Sequence, residues 1–345
     1  MLKCSDSRKE ISMNKIYASL LLTACVFSVG SASAKSEIKN TGNNMINLEQ
    51  TKTYCIGRYA VDIPAEANPL KRYDQYDSFN IKVVDKATRQ DFEAAVQKWR
   101  DDYSEGNRKI FEDPQVQKID GRITKIFKGK LSDKKILPYD VAGFVWDRNT
   151  LFLIEGGHSD SPERIKKSNE AIQNLVKNLR YRPENEIPKE AGQCIYKGFI
   201  KDETKQYRYS IQKLGFRFKN YPTVVLRFEA ESSDENVLAM IPRIEKKLKE
   251  VGQSQRQMDK DNIRKGDKNT NSLNGQEWIS IEKMKGKNGI SALWEHTGTA
   301  KNNQDPLISF EVDTAHSPSS NQSSSLHQVD ALKLYESILK TIRKF

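Results

Sequence analysis

His158, Ser159 and Asp160 follow two glycines in Gly156-Gly157-His158-Ser159-Asp160, and these are the side-chain types from which a nucleophilic hydrolase builds its base, nucleophile and orienting acid. Consecutive residues point their side chains in different directions, however, and a triad is defined by where its groups meet in space. The cluster reads instead as a turn running into a helix that starts at Ser161-Pro162, with serine as the cap and proline in the first turn. His296, beside Trp294 and Glu295, reads as a strand-end or packing residue. The chain has four histidines. Around them there is no Gly-x-Ser-x-Gly elbow, no His-Glu-x-x-His, no phosphate loop and no cysteine-histidine spacing for zinc. No catalytic residue, metal or cofactor is therefore expected.

The compartment is written near the N-terminus. Lys15, the apolar stretch Ile16 to Gly30 and the small-x-small sequence Ala32-Ser33-Ala34 make an export signal, with cleavage expected between Ala34 and Lys35. The twelve residues before Met13 add nothing a signal needs, which places the expected start at Met13 and makes 1–34 an extension plus signal peptide. A rival lies within the same segment: Leu22-Thr23-Ala24-Cys25 fits the bacterial lipoprotein pattern, in which Cys25 is acylated and becomes the mature N-terminus. Both readings lead to the bacterial envelope, as a free periplasmic or a membrane-anchored protein. No later segment has the roughly 18 consecutive apolar residues of a membrane span.

Residues 1–34 hold four of the 57 Lys/Arg and two of the 46 Asp/Glu, so the mature chain carries a net charge of +9. Both signs are interspersed, as on a solvated surface. An exported chain without a nucleic-acid-binding motif beside its lysines is not expected to bind nucleic acid. Two cysteines remain after cleavage, Cys55 and Cys194. An oxidising envelope lets them pair, and two separately buried thiols are the alternative.

The elements that would position any site come in two sets. Arg182 to Lys189, charged and carrying two prolines, reads as a linker. It separates an expected N-terminal domain, 52–183, from a C-terminal domain, 189–345. Each begins with a cysteine-bearing strand, Cys55-Ile56-Gly57-Arg58-Tyr59 and Cys194-Ile195-Tyr196-Lys197-Gly198. Phe79, Ile81 and Val83 alternate in the first half, whereas Thr223 to Phe228 reads as a continuously buried strand in the second. A helix follows in each: one with Thr88 and Asp91 spaced as a capping box, the other carrying Val237, Ile241, Ile244 and Leu248, which either kinks at Pro242 or effectively starts there, with Ser232 and Glu235 the best cap otherwise. Strands 122–127, 141–146 and 151–154 then match 277–282, 290–294 and 307–312. The stretches 252–274 and 317–325 read as exposed loops. Each half closes on a helix, where Ile172, Leu175, Val176 and Leu179 recur at the same spacing as Tyr335, Ile338, Leu339 and Ile342. The expected fold is α+β: two similar domains from internal duplication, each an antiparallel sheet packed by helices on one face. Trp99, Trp146, Trp278 and Trp294 are expected in the core or between domains.

Two segments carry a family resemblance: Thr53-Tyr54-Cys55-Ile56-Gly57-Arg58-Tyr59-Ala60-Val61-Asp62-Ile63-Pro64 and Gly192-Gln193-Cys194-Ile195-Tyr196-Lys197-Gly198-Phe199-Ile200. They resemble the domain openings of the immunity proteins that protect bacteria against type VI secretion lipase effectors of the fourth subtype. The similarity runs from about residue 52 to the C-terminus and includes Leu273-Asn274-Gly275-Gln276-Glu277 and the terminal helix. It implies a non-enzymatic periplasmic protein that binds a phospholipase effector one-to-one, its two domains gripping like a clamp and blocking substrate access. The interface would be of at least standard size, roughly 1,600 Å² in total. The motifs assign no effector-binding residue. An envelope lipoprotein, scaffold or lipid-binding accessory protein is the alternative from sequence.

Overall fold

The computed structural model describes residues 45–345 apart from 71, 106–107, 132–138, 205 and 317–322. Cys25, the Ala34–Lys35 junction and most of the expected loop 317–325 lie outside the described residues. The first half contains β1 (Thr51–Ile56), β2 (Tyr59–Pro64), β3 (Ala67–Pro69), β4 (Tyr73–Tyr76), β5 (Phe79–Asp85), α1 (Arg89–Asp102), β6 (Arg108–Glu112), β7 (Gln117–Ile119), β8 (Arg122–Leu131), β9 (Tyr139–Asp147), β10 (Thr150–His158), α2 (Pro162–Asn178) and β11 (Leu179–Tyr181). The second contains β12 (Gly192–Ile195), β13 (Gly198–Lys201), β14 (Ser210–Phe218), β15 (Tyr221–Glu231), α3 (Met240–Glu250), α4 (Gln255–Asp259), β16 (Asn262–Asp267), β17 (Gln276–Glu282), β18 (Gly289–His296), β19 (Leu307–Asp313), α5 (Gln328–Leu339) and β20 (Arg343–Lys344).

Local chemistry sets most boundaries. Thr88 caps α1 through a complete capping box with Asp91, and Ser161 caps α2 with Pro162 behind it. Arg148 and Asn149 turn the β9–β10 hairpin with φ of 47° and 60°, the left-handed pair that a two-residue connection requires. The second-half helix takes the later of its two expected starts, at the turn that holds Pro242, and Ser232 is not its cap. It begins at Met240 with Ala239 at the cap and no side-chain bond, because Pro242 is tolerated only in a first turn, where its missing N–H has no helical acceptor to serve. Ser232 instead ties strands together, its hydroxyl accepting from the Ser210 N–H and donating to the Arg208 carbonyl, both at 2.7 Å. The stretch 252–274 is not a bare loop either; it holds α4 and β16.

One antiparallel sheet runs through both halves in the order β16-β17-β18-β19-β15-β14-β4-β5-β10-β9-β8-β6. Outward from the β4–β14 seam the order is β4-β5-β10-β9-β8-β6 on one side and β14-β15-β19-β18-β17-β16 on the other, which is what duplication of one unit produces. Helices cover both faces. On β9, Val141 and Val145 join the cluster under α2, while Ala142 and Phe144 join the one under α1, as the two-residue period of a strand demands. The one-face expectation failed because α1 and α2 were read as amphipathic without a sign for the face each meets.

The cores do not follow the linear division. Tyr54, Ile56, Tyr59, Val61 and Ile63 of the first hairpin are buried in the second-half core with Phe216, Phe228, Trp294, Phe310 and Tyr335. Ile195 and Ile200 of the second hairpin are buried in the first-half core with Phe152, Ile172 and Leu175. The closing strands follow suit, β11 pairing with β13 and β20 with β2. The two halves have exchanged their opening hairpins. Arg182, in the expected linker, is fully buried, and its guanidinium donates to the carbonyls of Gly198, Pro183, Glu184, Glu186 and Ile195. Trp99 and Trp146 pack with first-half residues, whereas Trp294, fully buried and donating to the Lys268 carbonyl at 2.7 Å, lies in the core that the first hairpin completes.

Cys55 and Cys194 form a disulfide where the hairpins cross, with Cα atoms 5.7 Å apart. Beside it Gly57 and Cys194 exchange backbone hydrogen bonds of 3.2 and 2.7 Å. Buried charges surround the crossing, each paired as burial requires. Arg72 bonds Asp74 at 3.1 Å and the Cys55 carbonyl at 2.9 Å; Asp202 takes Arg58 at 3.5 Å, the Tyr76 hydroxyl at 2.8 Å and the Asn303 amide. Gly57 has φ +56°, and a Cβ there would lie 2.9 Å from Gln212 Oε1 and 3.0 Å from Ala230 Cβ. Gly57→Ala combines a left-handed penalty with this crowding and is expected to cost about 2 kcal/mol, read as a lower urea midpoint at unchanged m.

Candidate partner-binding face

The sheet face carrying α1 and α3 is the one whose middle is left open. Phe92 and Val96 of α1 pack on Phe127, Ala142, Phe144 and Leu151, and α3 lies on β17 at the other end. Among the described residues no helix makes a substantial packing contact with β4, β5, β14 or β15 on this face. Strand register fixes what the open floor presents. One cross-strand row is Tyr73, Lys213, Glu229, Ser309 and Glu295; the next is Gly215, Arg227, Glu311 and Leu293. Tyr73 and Val84, both on this face, are 39% and 40% exposed. The other face is filled by α2, α5 and the exchanged hairpins.

Ion pairs tie much of the floor together: Lys213 to Glu229 at 2.7 Å, Arg227 to Glu311 at 2.7 Å, and Arg243 of α3 to Glu295 at 2.6 Å. Among the described residues Glu231 accepts a hydrogen bond from the Tyr209 hydroxyl alone, at 3.2 Å. Burial, with Glu229 close by, pushes the Glu231 carboxyl up to about 7. Burial also raises Glu311 and Glu295. Sequence reasoning missed this floor. Thr223 to Phe228 looked continuously buried, yet β15 runs on to Glu231 and alternates from Arg227 onward; the signal was Arg227-Phe228-Glu229-Ala230-Glu231.

A cleft of about 510 Å³ lies elsewhere, at the C-terminal end of α2. Arg122, Arg148, Lys177 and Lys201 share its wall with Asp120 and Glu190, and no histidine, serine or cysteine lines it. The enzyme-like residues are not assembled. His158 is buried, stacks on Tyr139 with ring centroids 4.9 Å apart and directs Nδ1 at the Ser159 carbonyl, not its hydroxyl. His296 has both ring nitrogens engaged, by the Asn274 carbonyl at 2.8 Å and Asp305 at 3.3 Å. Among the described residues no group of three or more His, Cys, Asp or Glu is placed to hold a metal, and no helix is long and apolar enough to cross a membrane.

An open, charged sheet face without assembled catalytic groups suits binding. The family model for the N-terminal domain of Tle cognate immunity protein 4 matches residues 52–185, and that for its C-terminal domain matches 186–344. The chain belongs to the Tle cognate immunity protein 4 family. Solved structures share the family fold. The immunity protein of a Tle4–Tli4 complex superposes with a TM-score of 0.69 at 19% identity, covering 86% of this chain and 98% of that one. Apo TplEi, a type VI secretion immunity protein of Pseudomonas aeruginosa, gives 0.68 at 20% identity, with 85% and 97% covered; TplEi bound to an "L" peptide gives 0.67 at 19%, with 86% and 99% covered. No curated protein sequence matches. The boundary between the two family domains, at 185/186, falls between α2 and β12, so each family domain in sequence contributes a hairpin to the core of the other.

Proposed function

We propose that this immunity-family member is a periplasmic protein that binds a phospholipase effector of the type VI secretion system one-to-one and neutralises it by blocking substrate access, without chemistry of its own. The observation that carries this is the pair of family domains in tandem, spanning 52–344. The open floor between α1 and α3 supports it as a seat large enough for a macromolecule. The cleft at the end of α2 gives no support to a lipid-binding accessory role, since its wall is charged where an acyl chain needs apolar lining. The two halves, 52–183 and 189–345, would act as the arms of the grip. Export follows from the signal at 13–34, and mass spectrometry of the mature N-terminus distinguishes a chain beginning at Lys35 from one acylated at Cys25.

The test is protection. Export of this chain to the periplasm is expected to restore growth to cells that export the cognate Tle4-type lipase, and an equimolar amount of purified protein to abolish that lipase's activity. Unchanged killing together with unchanged lipase turnover rejects the reading.

A further inference from the structure

The open floor is not evenly charged. Glu229, Glu231 and Glu295 face one another across β15 and β18 while only Lys213 and Arg243 pair with them. Glu295 has a side chain only 5% exposed, its Oε2 taken by Arg243 and its Oε1 without any hydrogen-bond partner; Glu229 Oε1 is likewise buried and unpartnered. A carboxylate oxygen shut away from water without a donor leaves its charge uncompensated. The negative field of three carboxylates therefore emerges at Glu231, which has no ion pair of its own among the described residues, since the nearby Lys213 is held by Glu229. Tyr209 donates to Glu231 at 3.2 Å, and burial, with Asp234 and Glu231 nearby, raises the Tyr207 hydroxyl.

We infer that Glu229 and Glu231, backed by the buried Glu295, form an acceptor seat for an arginine or lysine side chain projecting from the bound effector. This rests on the functional reading above and adds the chemistry of the contact. An incoming guanidinium or ammonium would occupy the open side of Glu231, within the field of the buried Glu229 and Glu295 oxygens, and leave the Lys213 and Arg243 pairs in place. Desolvated charge pairs at the centre of an interface dominate its affinity and specificity.

The groups facing Glu231 are Glu229 on its own strand, Lys213 and Tyr209 on and before β14, Tyr207 in the preceding segment, and Glu295 on β18. Burial and the neighbouring carboxylates hold its carboxyl near 7 in the free protein, and a bound cation lowers it. Binding is then complete above about pH 7 and weakens as pH falls, because the seat must lose a proton to take the cation.

The experiment measures binding of the cognate Tle4-type lipase to the wild type, to Glu229→Gln/Glu231→Gln, and to Glu163→Gln, a control on α2 over the opposite sheet face whose partner Lys167 is 66% exposed. Thermal melts establish that each is folded. The double variant is expected to bind at least 30-fold more weakly at pH 8, and the control within twofold of wild type. Between pH 8 and pH 6 the wild type should lose about tenfold in affinity and the double variant should show no such step. A wild type that fails to bind overturns the functional reading and the seat with it. A wild type that binds while the double variant matches it, or binds more tightly, overturns the seat alone.

Discussion

Expressed separately, residues 52–183 and residues 189–345 are each expected to fail to fold, and the reason is the exchange of hairpins. The second-half core is completed by Tyr54, Ile56, Tyr59, Val61 and Ile63, which are 7% exposed or less. A buried side chain of this size contributes about 2 kcal/mol, so the missing hairpin withdraws roughly 10 kcal/mol from a unit whose whole net stability is of order 5–15 kcal/mol. It also uncovers Trp294, Phe310 and Tyr335 over one end of the sheet. The first half is less exposed to this loss, since its borrowed residues centre on Ile195 and Ile200, yet it also loses the β13 partner of β11. Circular dichroism and hydrogen exchange on each fragment check the expectation, with the two fragments mixed as the rescue. A rearranged chain starting at Thr204, with 45–69 joined after Phe345 by a flexible linker that runs the length of the β1–β2 hairpin, restores the second core and should melt cooperatively; the linker must cover that length because Phe345 lies at the hairpin's turn, its N–H on the Arg58 carbonyl at 3.4 Å. Cooperative unfolding of unaided 189–345 would show that the borrowed hairpin is dispensable.

That exchange marks the limit of what the chain discloses in one dimension. Periodicity placed the elements well: Ile172, Leu175, Val176 and Leu179, with their counterparts Tyr335, Ile338, Leu339 and Ile342, are all buried, and Thr88 with Asp91 forms the capping box that its spacing announces. These signals are local, a face of a helix or a reciprocal cap. Which core a hairpin fills is not local. Tyr54, Ile56 and Tyr59 are apolar enough to be buried in either half, and the sequence near them is the same whether β2 pairs with β11 or with β20. The same limit hid the open floor. Glu229 and Glu231 alternate with Phe228 and Ala230, which predicts one wet face, but that Lys213 and Glu295 stand in the same cross-strand row follows only from the register of four strands. Ser232 failed as a cap for a different reason: with Glu235 it has a helix-start signature, but its contacts with Ser210 and Arg208 outweighed it, and the helix starts instead at the turn that holds Pro242.

Loss of the Cys55–Cys194 bond is expected to have the next largest effect. The bond closes a loop of 139 residues, and in the chain-entropy model a crosslink of that span restricts the unfolded chain by about 5 kcal/mol. Relaxation of the native state reduces what is observed, so a loss of about 3–5 kcal/mol is the expectation for the reduced protein. Both cysteines are 1% exposed or less and sit against Phe199, so the substitution matters: serine would bury two hydroxyls with no assured partner, whereas Cys55→Ala/Cys194→Ala removes only the sulfurs. Urea unfolding of the oxidised wild type, the wild type reduced with its thiols intact, and the double alanine variant separates the contributions. The step from oxidised to reduced reports the crosslink, and the step from reduced to alanine reports the packing of the two sulfurs, about 1 kcal/mol each. The exchanged hairpins themselves should survive in the reduced protein, because the Gly57–Cys194 backbone bonds, the Arg72 contacts to both cysteine carbonyls and the buried residues of each hairpin do not depend on the sulfur bridge. Lipase binding by the reduced protein below its unfolding transition is therefore expected to match the oxidised form. A reduced protein as stable as the oxidised one would mean that the unfolded chain is already held compact around this crossing, and a reduced protein that stays folded but no longer binds would mean that the bridge sets the spacing of the two halves.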